Sequence, residues 1–185
     1  YKQAKHIQNK QKGIQFLYES NKNFDGIFNY LRKNCNGNIN EVLTITASSI
    51  YNVTSCPQNV ILFENADKIF YSDEKKNNWL SFEFKKHQII PTNYTIKSYD
   101  TPRTMKNWVI EVSNDTSNWI IIDQRTNCSD VKERGKVHTF QISNKINEPF
   151  RFIRLRHTGF NWNNDYFFTL DSFELYGTLI ESTIQ

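Results

Sequence analysis

Residues 77–100 read "NNWLSFEFKKHQIIPTNYTIKSYD", and two runs within them decide the fold class. In "WLSFEF", Leu80, Phe82 and Phe84 alternate with Trp79, Ser81 and Glu83, the period of two that a half-buried strand imposes. "YTIKSY" is a second such run. Upstream, "EVLTITAS" reads the same way. Downstream come "WVIEVS", "WIIID", "VHTFQIS", "FRFIRLRH" and "FTLDSFELYG". That makes about eight short strands at intervals of roughly 10–20 residues, separated by Asn, Asp, Ser, Gly and Pro. No helical pattern interrupts them. One-sided sheets must bury their apolar faces against each other, so the expected fold is all-β, an antiparallel β-sandwich.

In the last strand, Phe168 and Leu170 share one parity and Phe173 and Leu175 the other. A bulge at Asp171–Ser172 would return both pairs to the core face. The acids Asp171 and Glu174 argue against the alternative, a strand buried on both sides.

Ahead of the strands, Phe24, Ile27, Phe28 and Leu31 fall on one face of a helix expected over about 23–34. Asn23 is its expected N-cap. Arg32 and Lys33 suit its last turn, and Gly37 can supply a left-handed residue after it. Residues 1–22 read as a weak helix or an ordered arm. The domain plan is therefore a basic arm with its helix over 1–40, a sandwich over 41–181 and a tail over 182–185.

Composition narrows the function. The 185-residue chain has 38% hydrophobic and 15% aromatic residues. Its mean hydropathy is -0.66. No apolar run approaches the roughly 20 residues of a membrane-spanning helix, so no membrane insertion is expected. The chain starts at Tyr1 with no signal-peptide core, which suggests a part of something longer. Seven of its Lys and Arg residues and only two acids lie in residues 1–40, leaving the rest near neutrality. A domain that tracks phosphates would carry its charge on the main body, so nucleic-acid binding is disfavoured. Single-stranded binding through the arm and aromatics is kept as a third hypothesis.

Cys35, Cys56 and Cys128 are odd in number and show no Cys-x-x-Cys spacing, so they read as reduced thiols. Four glycosylation sequons, at Asn52, Asn93, Asn114 and Asn127, are about what chance supplies in a chain so rich in Asn, Ser and Thr.

The order of "NNWLSFEF", "NWVIEVSNDTSNWIIID", "PFRFIRLRHTGFN" and "LDSFELYGTL" resembles the F5/8 type C, or discoidin, domain family over about residues 42–180. The resemblance implies a jelly-roll, galactose-binding-domain-like sandwich. It also implies a non-catalytic module that binds sugars, lipid head groups or proteins through loops at one end. Similar domains preceded by a short helix occur in intracellular microbial eukaryotic proteins, some with BTB-type domains upstream. Secreted members commonly clamp their ends with a disulfide. Here the last 57 residues hold no cysteine, which favours a cytoplasmic setting while keeping an extracellular one open.

No nucleophile elbow, phosphate-binding glycine loop or zinc motif occurs, so no enzyme, catalytic residue, cofactor or metal is expected. "SNDTSN" at 113–118 reads as a hairpin turn rather than a calcium loop. Trp79, Trp108 and Trp119 read as core aromatics whose ring nitrogens find backbone partners. His157 suits a structural or rim role.

The expected ligand is a carbohydrate or a protein segment. Its surface would be the rim formed by "ENADKIFYSDEKKNNW", "YDTPRTMKN" and "HTGFNWNND". Tyr71, Arg103, Arg156, Asn161, Trp162, Asn163 and Asp165 are the candidate contacts, because an aromatic ring beside polar side chains suits sugars. For Arg156 the competing reading is a solvated strand face. The alternative function is a structural or interaction module of a larger adaptor, with an upstream domain of the same chain as partner.

Overall fold

The computed structural model describes residues 13–64 and 68–182. Most of the basic arm, three residues of the first rim loop and the last three tail residues lie outside these. Among the described residues, eleven strands form two main antiparallel sheets and one small one. The five-stranded sheet runs β2 (Leu43–Ala47), β4 (Trp79–Phe84), β9 (Phe152–His157), β6 (Trp108–Ser113), β7 (Ile120–Arg125). The four-stranded sheet runs β1 (Gly13–Phe16), β11 (Ser172–Glu181), β5 (His87–Lys97), β8 (Val137–Gln141). β3 (Phe70–Tyr71) pairs only with β10 (Thr169–Leu170). The fold is the jelly-roll sandwich expected, and a short α-helix, α1 (Ile27–Lys33), packs on it.

The alternation in "WLSFEF" sets the register. Leu80 and Phe82 pair with Leu155 and Ile153 of β9, which pair in turn with Ile110 and Val112 of β6. All six side chains are fully buried. The outward row holds Trp79, Ser81, Glu83, Arg154, Arg156 and Glu111.

Trp108 fills the core between the sheets. Its Nε1–H donates to the Tyr94 hydroxyl at 3.0 Å, which donates to Asp123 Oδ2 at 2.6 Å. The Asp123 carboxylate also accepts from Arg125 and Ser143. Burial would raise that carboxyl, but hydrogen bonds from Arg125, Ser143 and Tyr94 hold it below the usual range. Tyr94→Phe leaves the indole N–H and the carboxylate each short of a buried partner. Urea denaturation should register a loss of about 2 kcal/mol. A loss below about 0.5 kcal/mol would mean the hydroxyl is dispensable.

Four expectations about the chain's ends change. Residues 13–16, read as a weak helix or an ordered arm, form a strand, β1, on the edge of β11. The helix starts at Ile27 rather than near residue 23. Its N-cap is Gly26, which has no side chain to accept the free amides. Glu174, on β11, supplies the acceptor. Its Oε2 takes Gly26 N and Asn29 N at 3.1 Å, and its Oε1 takes Phe28 N at 2.8 Å. The cap therefore comes from far along the chain.

The parity change at Asp171 is not a bulge. There the chain leaves β3 and joins β5, so Leu170 and Phe173 belong to different sheets. The bulge lies at Tyr176/Gly177, opposite Pro91 and its missing N–H. Gly177 has φ +141°, and a Cβ there would sit 2.1 Å from the Ile90 carbonyl oxygen. Finally, Ser172–Gly177 are buried throughout, the arrangement that Asp171 and Glu174 argued against. α1 covers this strand. Phe28 reaches between the sheets to stack on Phe82 and touch Phe173, at 4.8 and 6.0 Å between ring centroids.

Asn36 as well as Gly37 adopts a left-handed conformation after the helix. Cys35, Cys56 and Cys128 are free thiols. Among the described residues, no helix is long and apolar enough to cross a membrane.

Candidate functional site

The rim loops are tied together by buried amides. Asn78 is 1% exposed. Its Nδ2 donates to Ser72 Oγ and to the Asp73 and Lys75 carbonyls, while its Oδ1 accepts from the Ser48 and Ser49 hydroxyls at 2.8–2.9 Å. Ser72 Oγ in turn accepts the Phe168 amide at 2.9 Å. This holds the loop after β2, the loop before β4 and the loop before β10 at one end of the sandwich.

Inside the third loop, Asn161 is fully buried. Its Oδ1 accepts the amides of Asn163 and Asp165, and its Nδ2 donates to Asp165 Oδ1 and the Phe167 carbonyl. Asn161 therefore shapes the loop rather than facing a ligand. Asp165 Oδ2 accepts from Arg103 Nε and Asn163 Nδ2, both at 2.8 Å. Burial would raise the Asp165 carboxyl, but hydrogen bonds from Asn163, Asn161 and Arg103 hold it below its usual range. The Asp165 hydrogen bond raises Arg103 in turn.

Arg103 lies 4.8 Å over the Phe167 ring, and Phe167 packs on Tyr71 at 5.2 Å. Arg103 and Tyr71 border a recess of about 230 Å³ together with Tyr99, Thr101 and Thr169. Burial pushes the Tyr71 phenol up, with the charge of Arg103 opposing it. Five of the seven candidate residues thus form one connected group: Tyr71, Arg103, Asn161, Asn163 and Asp165.

Two do not join it. Trp162 is half-buried, its Nε1–H donating to the Cys128 carbonyl at 3.2 Å. The ammonium groups of Lys132 and Lys106 lie over its ring at 4.3 and 4.7 Å. It borders a different recess, beside Pro102, Lys132 and Arg134. Arg156 faces outward from the five-stranded sheet. Its Nη2 meets Glu111 Oε1 at 2.7 Å, and Arg154 Nε meets Glu111 Oε2 at 2.8 Å. Burial would raise the Glu111 carboxyl, but hydrogen bonds and charge from Arg156 and Arg154 hold it below its usual range. The Arg156 guanidinium is thus committed to the buried Glu111 carboxylate on the outer sheet face.

The other readings divide. Residues 113–118 form the expected turn, with Asp115 Oδ1 accepting the Ser117 and Asn118 amides at 2.9 and 2.8 Å. His157 is buried and stacked on Phe168, and burial pulls its imidazole down to about 4. Trp108 is core, though its partner is a side-chain hydroxyl. Trp79 and Trp119 are not core: both are half-buried on the outer sheet face.

Sequence reasoning placed Tyr99 in the second rim loop but not among the candidate contacts, although it lines the rim recess, and it missed the exposed apolar residues Ile50, Tyr51 and Val53 of the neighbouring loop. The signal for Tyr99 was its place at the end of the predicted strand "YTIKSY", where the second rim loop begins. The signal for the other three was an apolar cluster in a segment with no strand periodicity.

Comparisons with known proteins agree with this architecture. A carbohydrate-binding module of Clostridium perfringens, solved with GalNAc-β-1,3-galactose, is 14% identical, with a TM-score of 0.56, covering 73% of this chain and 95% of its own. An F5/8 type C domain from Bacteroides fragilis is 11% identical with a TM-score of 0.58, covering 73% of this chain and 91% of its own. At such identities the likeness concerns the fold. Among curated proteins, the E3 ubiquitin-protein ligase hecd-1 of Caenorhabditis elegans is 20% identical over 97% of this chain, which spans only 7% of that ligase. Residues 51–179, from the exposed loop after β2 to the last strand, match the model of the Sad1 / UNC-like C-terminal family, and on that match the chain belongs to this family.

Proposed function

We propose that this domain is a non-catalytic recognition module that binds a carbohydrate in the recess between Tyr71, Tyr99 and Arg103. The observation that carries the reading is the Arg103–Asp165 pair at 2.8 Å beside two tyrosines. A guanidinium fixed by a buried loop network donates to sugar hydroxyls with little loss of side-chain freedom. Tyrosine rings supply the apolar wall that a pyranose face needs. The sugar complex of the structurally similar Clostridium module supports this ligand class.

A second reading is an interaction module of a larger adaptor. It is supported by the small fraction of a ubiquitin ligase that this chain spans, and by the exposed Ile50, Tyr51 and Val53 beside the recess. The three free thiols support a reducing, cytoplasmic setting for either reading.

A glycan array with the wild-type protein, Arg103→Ala and Tyr71→Ala decides between these. The carbohydrate reading expects a wild-type hit weakened at least about tenfold by either substitution, the equivalent of about 1.4 kcal/mol. Hits of equal strength in all three proteins would remove the recess from consideration.

A further inference from the structure

The outer face of the five-stranded sheet carries a further concavity, a cleft of about 270 Å³. Trp79 stands at the start of β4, and Trp119 reaches over from the β6–β7 turn; both line the cleft. Each is half-buried. The Trp119 indole is fixed from two sides. Its Nε1–H donates to the Thr116 carbonyl at 2.8 Å, and the Arg154 guanidinium lies 3.9 Å from its ring centroid. Arg154 also approaches the Trp79 ring, at 6.0 Å. Its own position is set by Glu111. The wall of this cleft is therefore built before any ligand arrives.

Between the indoles the cleft is hydroxyl-lined. Thr46 and Ser81 are paired in register, as are Thr44 and Glu83. Thr44 Oγ1 is buried and has no hydrogen-bond partner among the described residues. Two charged groups line the cleft, and they have opposite signs. Arg154 is engaged by Glu111 and Glu83 by Arg151. An occupant with net charge would find no unmatched countercharge here. An occupant with an apolar face and neutral hydroxyls would find indole for the one and threonine, serine and ion-paired groups for the other. Backbone groups at this face are spent in the β-ladders, so an extended peptide could not add main-chain bonds there.

We propose that this cleft is a second binding site, for a neutral saccharide, separate from the rim recess. It does not depend on the rim reading. No residue of the cleft lines the recess.

The test uses the full chain and its own tryptophans. Intrinsic fluorescence is titrated with lactose, cellotetraose and chitotriose, and binding is measured in parallel by calorimetry. The expected result is a saturable fluorescence change with at least one of the three. Trp119→Phe and, independently, Thr44→Val should each weaken that change at least tenfold, while Arg103→Ala leaves it intact. The proposal is overturned if no sugar changes the fluorescence, or if both cleft variants keep wild-type affinity. It is also overturned if Arg103→Ala abolishes the signal, which would assign all binding to the rim. Calorimetric binding that survives Trp119→Phe and disappears in Arg103→Ala supports the rim and rejects the cleft. Circular dichroism of each variant checks that the sandwich is intact, and Thr44→Val, of nearly unchanged shape, guards against a folding defect at Trp119.

Discussion

Glu174→Ala is expected to cost about 3–5 kcal/mol and to loosen α1 from the sandwich. The carboxylate accepts the amides of Gly26, Phe28, Asn29 and Leu175, the first three of them free N–H groups of the helix N-terminus. Gly26 has no side chain to replace it, and the site is fully buried. Removing the acceptor leaves buried donors unsatisfied, at about 1–3 kcal/mol each before relaxation. Hydrogen exchange should show the Phe28 and Asn29 amides exposed well before those of β6. A stability loss below about 1 kcal/mol would show that the helix is held by Phe28 packing alone.

The same residue gives the fold a pH signature. Burial pushes the Glu174 carboxyl up to about 7, against four backbone amides that pull it down. Between about pH 4.5 and 7 the folded chain keeps a proton that the unfolded chain has released. This contribution is therefore present in acid and lost as pH rises through 7. His157 works in the opposite direction. Its imidazole, held down to about 4, contributes stability above about 6.5 that is lost as pH falls toward 4. Over pH 5 to 6.5 the two slopes oppose each other. In Glu174→Gln stability should rise with pH across that range, and in His157→Gln it should fall. Chemical denaturation at half-unit intervals reads both slopes, and two parallel profiles would contradict the assignment.

Gly177→Ala should be nearly as damaging, by about 3 kcal/mol or more. The added methyl meets the Ile90 carbonyl oxygen and Pro91 Cα, both backbone, and the φ of +141° is strained for any L side chain. Gly37→Ala provides the control. It too has a positive φ, +84°, but no atom lies within 4 Å of its added methyl. It should cost only about 1 kcal/mol. If the two substitutions shift the urea midpoint equally, close approach at the bulge is not what selects glycine there.

Local pattern carried the fold a long way. The period of two in β4, β6 and β9 sets both the sheets and their inner faces. The same alternation also contained information that the core reading of tryptophan overrode. If Leu80, Phe82 and Phe84 face inward, Trp79 must face outward, and it does. Parity likewise turned Arg156 outward. What it could not reveal was Glu111, on a strand adjacent only in space. Nor could it reveal Glu174 as the cap of a helix 145 residues earlier. β1 was invisible for a different reason. Four residues carry too little periodicity to mark a strand whose partner is at the other end of the chain. Within the rim, Asn161, Asn163 and Asp165 are sequence neighbours, so their grouping was legible. Their division of labour was not, because the buried position of Asn161 depends on the loop's closure around it.

The pairing of β1 with β11 has one more consequence. Gly13 lies opposite Ile180, so the first and last described strands run side by side, about 5 Å apart, along one sheet. A host polypeptide could route into and out of this sandwich through a doorway only one strand wide. A longer chain could therefore accommodate the domain between two of its own elements without prying them apart, with the loops that precede β11 at the opposite end of that strand.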